Sequence, residues 1–224
     1  MEINLRNAEI LNTLGTFVND FYARKTNDLE RFHSDDYKVE TMKERCSEKV
    51  LREEYLPNWM EHEGYPVEHC AVPIGDLDMK EWGPFWYQWK RDFTEAIGAN
   101  QNTLLNYYQG HGMVGWHTNY PSAGYQIVLT WSETGDGAFL YYVTEQDKVV
   151  EIPDKPGWQA RWYYFGPKEA EQKYHCWHAM WTLCDRFTLC YNWALRPETN
   201  DVSSSKHDAL KNLMLDCVEE LETP

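Results

Sequence analysis

The chain is short of positive charge. Its 21 Lys and Arg stand against 36 Asp and Glu, a net charge of -15. With no basic stripe there is no counterion release to drive non-specific binding to nucleic acid or to an anionic membrane, although a local basic groove is not excluded. Long apolar runs are missing too. Nothing approaches the roughly 20 apolar residues of a membrane span. Met1 to Gly15 has no basic segment followed by an apolar one, so no secretory signal is expected. The six cysteines (Cys46, Cys70, Cys176, Cys184, Cys190 and Cys217) are scattered, with no C-x-x-C pair. Cys184 and Cys190 have near-equal strand parity and read as core thiols. A reducing cytoplasm is the simplest setting and the expected location. No internal repeat and no low-complexity tract is present.

What the chain does have is aromatic bulk. In 224 residues there are 11 Trp and 15 Tyr, and 42% of the sequence is hydrophobic. That suits one domain with a large core. The first 98 residues read as mostly helical support. Leu5 to Arg24 carries apolar residues near helical spacing, including Leu14, Phe17, Val18 and Phe21. Asn27 to Val39 is polar and reads as loop. Thr41 to Met60 reads as a helix with Thr41 as cap and Pro57 at its end. Gly64 to Met79, with Pro66, Pro73 and Gly75, reads as irregular chain or a short strand. Glu81 to Ile97 lines up Phe85, Trp86, Trp89, Phe93 and Ile97 on one side, with Pro84 in the first turn and Gly98 at the end. Such a stripe is more simply a helix packed on a sheet than a ligand face.

After Gly98 the texture changes. Strand-like runs appear at 103–109, 125–131, 138–144, 148–152, 159–165, 176–180 and 187–194, separated by Gly, Pro, Asp and Ser. Short strands at regular spacing predict a mainly β core of jelly-roll type over 99–196, with helices flanking it. Asn200 to Ser205 reads as a linker. A last amphipathic helix over 206–222 has an acidic, solvated face and another for packing or for a homodimer.

The residues with chemical potential lie in that β region. His117 and Asn119 are two apart, so on a strand they would share a face. Gly110, His111 and Gly112 precede them, and Pro121 and Gly124 follow. That is a strand end opening into a loop, where sites tend to sit. A buried histidine and a turn asparagine would explain the segment equally well. A second cluster, Tyr174-His175-Cys176-Trp177-His178-Ala179, is followed by Arg186-Phe187-Thr188. Two neutral imidazoles and one oxygen ligand leave three octahedral positions open on a metal. An arginine on the wall of a partly dry barrel can clamp a carboxylate bidentately. His33, His62, His69 and His207 lie in polar or helical surroundings and read as surface or satisfied histidines. Trp116 and Trp177 are strand neighbours of the two candidate ligands and should point away from them.

Taken in order, His-x-Asn, a distant His and Arg-x-Thr resemble the pattern of the iron(II)- and 2-oxoglutarate-dependent dioxygenases, most of all their prolyl-hydroxylase-like branch. The likeness covers Leu104 to Trp193 and extends to strand order. Gly135-Asp136-Gly137-Ala138-Phe139-Leu140 resembles the family's Gly-Gly-x-Leu strand, and Gln159 to Phe165 resembles the strand before the distal histidine. The resemblance implies a double-stranded β-helix. It also implies Fe(II) held by His117, Asn119 and His178, and 2-oxoglutarate held by Arg186, Thr188 and Tyr107. The implied activity consumes O₂, releases succinate and CO₂, and hydroxylates an unidentified substrate. One departure stands out. The family carries Asp or Glu where this chain has Asn119, and a neutral carboxamide is a weaker ligand for a hard cation. Asn119 then binds directly or through water, or the ligand comes from His111 or the Glu133 to Asp136 turn, or the site has become a metal-free binding module. His175 competes with His178; three residues apart, they face opposite sides of one strand. A cupin-like metal enzyme using His111, His117 and His178 without 2-oxoglutarate is the remaining alternative.

Overall fold

The computed structural model describes residues 1–24, 39–194 and 205–224. His33, most of the loop expected at 27–39 and nearly all of the linker expected at 200–205 lie outside the described residues. Strands β3 (Gln101–Tyr108), β4 (Gly112–His117), β5 (Gly124–Ser132), β6 (Gly137–Val143), β7 (Lys148–Pro153), β8 (Gly157–Phe165), β9 (His178–Thr182) and β10 (Arg186–Ala194) form two antiparallel sheets. With the two-residue strands β1 (Glu2–Ile3) and β2 (Val72–Pro73), one sheet runs β1-β8-β5-β10-β3-β2. The other runs β4-β9-β6-β7. From β3 onward the strands alternate between the sheets, apart from the β6–β7 hairpin within one sheet, in the order of an eight-stranded jelly roll, a double-stranded β-helix. The fold is thus mainly β with flanking helices, as the sequence led us to expect.

The alternation along the six-stranded sheet has an unusual sense. On β10, Phe187, Leu189, Tyr191 and Trp193 belong to the apolar cluster that also holds Phe17, Phe21, Phe85 and Trp89 from the helices. Arg186 and Thr188 point the other way, as do Gln126 and Val128 on β5, and all four line the cavity between the sheets. The aromatic face is therefore outside, covered by α1 (Ala8–Arg24), α4 (Met79–Tyr87) and α6 (Ser205–Glu222). The polar face is inside. Phe17 makes an edge contact with Phe187 at 5.0 Å and packs on Phe85 of α4, also at 5.0 Å, which locks α1 and α4 onto the sheet. On α6, Met214, Cys217 and Leu221 are buried against the same cluster.

The expected helix at 41–60 is broken. Val39–Arg45 (α2) is followed by Glu48–Val50 (α3), whose cap is Ser47 and not Thr41. The chain then widens into a π turn over Leu51–Tyr55 and a 3₁₀ turn over Leu56–Asn58. The break seats the buried Cys46 thiol on the Met180 carbonyl (3.4 Å) and gives the Ser47 carbonyl to the Trp116 indole (3.0 Å). The helix expected at 81–97 starts earlier, at Met79, capped by Asp78, and passes through a π turn over Gln88–Asp92 into α5 (Phe93–Ala96). Pro84 consequently sits inside the helix rather than in its first turn. Its ring is exposed, where water can satisfy the carbonyl that a proline leaves unbonded. Gly98 ends the run at φ 69°, a conformation glycine adopts freely. Among the described residues, no helix is long and apolar enough to cross a membrane.

Candidate metal and carboxylate site

The site is built on the four-stranded sheet around a β-bulge. Val114 pairs with Met180 and His117 with His178, so three steps on β4 match two on β9. The extra residue lets Val114 and His117 both face the cavity, which strict alternation would forbid. Gly115 lies in the bulge, where an added Cβ would meet the Glu68 carbonyl oxygen at 3.3 Å. The His117 and His178 rings face each other with centroids 4.0 Å apart. Trp116 and Trp177 point outward and are fully buried in a separate apolar cluster, as expected for their parity.

Asn119 reaches the same place by a different route from the one expected. The strand ends at His117, so shared strand parity is not what aligns the pair. Asn119 adopts a left-handed conformation (φ 62°, ψ 27°) at the head of the 3₁₀ turn Tyr120–Ser122. Its N–H donates to the Gly64 carbonyl at 2.8 Å, and its carbonyl accepts from Ser122 N–H at 2.9 Å. Asparagine tolerates that conformation better than most residues. Its side-chain Nδ2 lies 3.3 Å from His178 Nε2.

Backbone carbonyls fix both imidazole tautomers. His117 Nδ1 donates to Gly115 O at 2.9 Å, and His178 Nδ1 donates to Cys176 O at 2.8 Å. Each Nε2 is left with its lone pair, the arrangement that outer hydrogen bonds give to metal-ligating histidines. Burial lowers the pKa of both. His178 falls to about 4, and His117 falls well below its ordinary value, pushed further by the neighbouring His178. Phe165 and Phe139 flank His178 at 5.1 and 5.6 Å. Two neutral imidazoles and a carboxamide therefore converge. Among the described residues no group of three or more His, Cys, Asp or Glu is placed to hold a metal. As placed, the carboxamide presents its nitrogen to His178 Nε2; with the amide turned over, the set would offer a divalent cation two imidazole nitrogens and an amide oxygen, without the charge a carboxylate would add.

Across a cavity of about 480 Å³, Arg186 and Thr188 line the wall of the six-stranded sheet. Arg186 is 1% exposed. Its Nη1 donates to Thr188 Oγ1, its Nη2 to Thr130 Oγ1 at 3.4 Å, and its Nε to Asp154 Oδ2 at 2.9 Å. The facing phenol belongs to Tyr108, whose ring centroid is 5.8 Å from the guanidinium. Tyr107 is a correction. Register pairs Tyr108 with the inward Arg186 and Tyr107 with the outward Phe187. The Tyr107 hydroxyl donates to Asp185 Oδ2 at 2.7 Å, and its ring packs on Phe21 and Phe187, so it is held in the helix-covered layer.

The other ligand candidates are not brought in. His111 is an exposed turn residue (φ 70°) at the opposite end of β4 from His117. The Glu133 to Asp136 turn also lies at that far end, where the Asp136 carbonyl accepts from Leu183 N–H. His175 is turned away from the cavity, with Nδ1 3.2 Å from the Tyr120 hydroxyl and its ring 5.0 Å from Trp59. Of the remaining histidines, His62 accepts from Gly64 N–H at 2.9 Å, His69 sits exposed on the cavity wall, and His207 is buried against Tyr125. Tyr108, Thr130 and Asp154 were not found from sequence. For Thr130 the signal available was the polar half of its strand's alternation.

None of the known family models matches the chain, and no curated protein matches it. Solved structures with some likeness include OsALKBH1, at 21% identity over 42% of this chain and 48% of that one, with a TM-score of 0.29. A 2OG-Fe(II) oxygenase family oxidoreductase from Burkholderia pseudomallei is 12% identical over 50% and 55%, at 0.33. Oxalate oxidase in complex with the substrate analogue glycolate is 12% identical over 55% and 61%, at 0.31. The chain spans between about half and three fifths of the length of these three.

Proposed function

We propose that this chain is an Fe(II)- and 2-oxoglutarate-dependent oxygenase of the prolyl-hydroxylase-like kind. The observation that supports it best is one of placement. Two neutral histidines of fixed tautomer and Asn119 face, across one cavity, a buried arginine flanked by two threonine hydroxyls. His117 and His178 would hold the metal through Nε2, and Asn119 through its amide oxygen. Arg186, Thr188 and Thr130 would receive the distal carboxylate of the keto acid, with Tyr108 beside them in place of Tyr107. When bound, the metal and keto acid supply O₂ activation, yielding succinate, CO₂ and a hydroxylated C–H bond. The protein's part is to hold the imidazoles neutral, to align the guanidinium and to keep water out with Phe139, Phe165, Val128 and Met180. The test is anaerobic titration with iron(II) and 2-oxoglutarate, followed by the metal-to-ligand charge-transfer band. Development of that band, with succinate released on admitting O₂, is the expected result. Asn119 favours a second reading, a metal-free binding cavity, which predicts no iron uptake and retained binding of a carboxylate.

A further inference from the structure

Asp154 is the one buried acid among the described residues, and it lies behind the cavity-lining Arg186. It is 6% exposed as a residue, and its side chain is fully buried. One carboxylate oxygen takes the Nε of Arg186 at 2.9 Å, and the other accepts from Gln159 Nε2 at 3.1 Å. Gln159 Oε1 in turn accepts from Arg161 Nη2 at 3.0 Å. Gly137 makes room for this: an added Cβ there would come within 2.8 Å of Asp154 Oδ2. The Asp154 N–H also donates to the Gly137 carbonyl at 2.9 Å, so its backbone is fixed as well. Arg161 is only 6% exposed, and among the described residues it forms no ion pair with a carboxylate. Its strand neighbour Glu2 is engaged by Lys155 at 2.7 Å. Asp154 thus holds Arg186 directly, while Arg161 joins the network only through Gln159 and has the Glu2 carboxylate beside it across the strand pair. Among the described residues the terminal nitrogens of Arg186 hydrogen-bond only threonine hydroxyls, so an anion in the cavity is favoured there.

We propose that Asp154 is a positioning residue that aims the Arg186 guanidinium at an anion in the cavity between the sheets. Held by Nε, the Arg186 fork turns both terminal nitrogens toward Thr188 and Thr130. Arg161, bonded to Gln159 Oε1, adds a second positive charge to the same hydrogen-bonded network. This rests on the co-substrate reading for the identity of the anion, though not for the alignment of Arg186.

The experiment titrates the full chain with 2-oxoglutarate and with glutarate, which lacks the keto group, by calorimetry. In parallel, the Arg186 Nε–H resonance is followed by nitrogen-15 NMR. Asp154→Asn keeps an oxygen acceptor for Nε and should bind both diacids within a few-fold of wild type. Asp154→Ala should weaken both by about tenfold or more, near 1.4 kcal/mol, and should lose the slowly exchanging Nε–H signal. Arg161→Gln should weaken both diacids by several-fold with that signal intact. If Asp154→Ala does not fold, the comparison of Asp154→Asn with Arg161→Gln decides. Wild-type affinity in Asp154→Ala, or an Asp154→Asn variant that has lost the protected Nε–H, would overturn the proposal. Failure of wild type to bind either diacid would sink the co-substrate reading and the anion site with it. The Nε–H signal would still settle whether Asp154 aligns Arg186.

Discussion

Asn119→Asp separates a direct ligand from a bystander, and its size can be worked out. The carboxamide nitrogen lies 3.3 Å from His178 Nε2. A unit negative charge at that distance attracts a unit positive charge by about 5 kcal/mol at an effective dielectric of 20. Desolvating the new carboxylate takes back about half, leaving about 2–3 kcal/mol. Without metal, that gain falls to the His178 imidazolium, whose pKa should rise from about 4 by about two units. With metal, the same gain should tighten Fe(II) binding by about a hundredfold. The assays are NMR titration of the histidine ring protons in metal-free protein and iron stoichiometry by chelator competition. The backbone has no reason to change, because aspartate also tolerates the left-handed conformation. An unmoved His178 titration together with unchanged iron affinity would refute the claim that the Asn119 side chain faces the imidazole. A raised titration with unchanged iron affinity would place Asn119 beside the histidine but outside the ligand set.

Arg186→Met should weaken 2-oxoglutarate binding by at least about tenfold and leave iron stoichiometry near wild type, since the guanidinium and imidazoles sit on different sheets; unchanged co-substrate affinity in calorimetry would remove Arg186 from that role. Tyr108→Phe should weaken the same affinity by a few-fold, whereas Tyr107→Phe should lower melting temperature with affinity unchanged, because the Tyr107 hydroxyl bonds Asp185 in the outer layer; the reverse pattern would reinstate Tyr107. The third concerns pH. The folded pKa values of His117 and His178 lie below the unfolded value near 6.5, so the unfolded chain binds more protons as pH falls. Stability should therefore be full above about pH 6.5 and drop by up to about 1.4 kcal/mol per unit for each histidine as pH falls toward 4. Urea melts of metal-free wild type and His178→Phe, compared from pH 7 to 5, test it. Equal pH slopes in the two would mean that His178 is not held neutral.

Strand content and strand order were readable because apolar and polar residues alternate so regularly after Gly98. What the alternation could not say was which face is inside. In most half-buried sheets the apolar face meets the core and the polar face meets water. Here the apolar face of β5 and β10 meets helices whose own apolar stripes were visible at 5–24 and 81–97. The polar face is enclosed by a second sheet. That inversion hid Thr130, and Asp154 was hidden because nothing local in Pro153-Asp154-Lys155 distinguishes a buried acid from a turn residue. Tyr107 and Tyr108 were a parity problem. Either could face Arg186, and only the register of β3 against β10 chooses.

His117 and Asn119 show a different limit. Spacing by two suggested one strand face, and the two side chains do converge with His178, but through other means. A one-residue bulge turns His117 inward, and a left-handed turn beyond the strand carries Asn119 back. Bulges leave little local signature apart from a glycine, here Gly115, and left-handed turns little apart from an asparagine. The residue that departs from the family pattern is thus also one that suits its backbone. An asparagine at that turn would be kept for conformation alone, which is why ligand and hinge must be told apart by charge. Aspartate preserves the turn and adds a charge, alanine removes the amide oxygen along with the turn preference, and only a true ligand position should gain iron affinity from the first while losing it in the second.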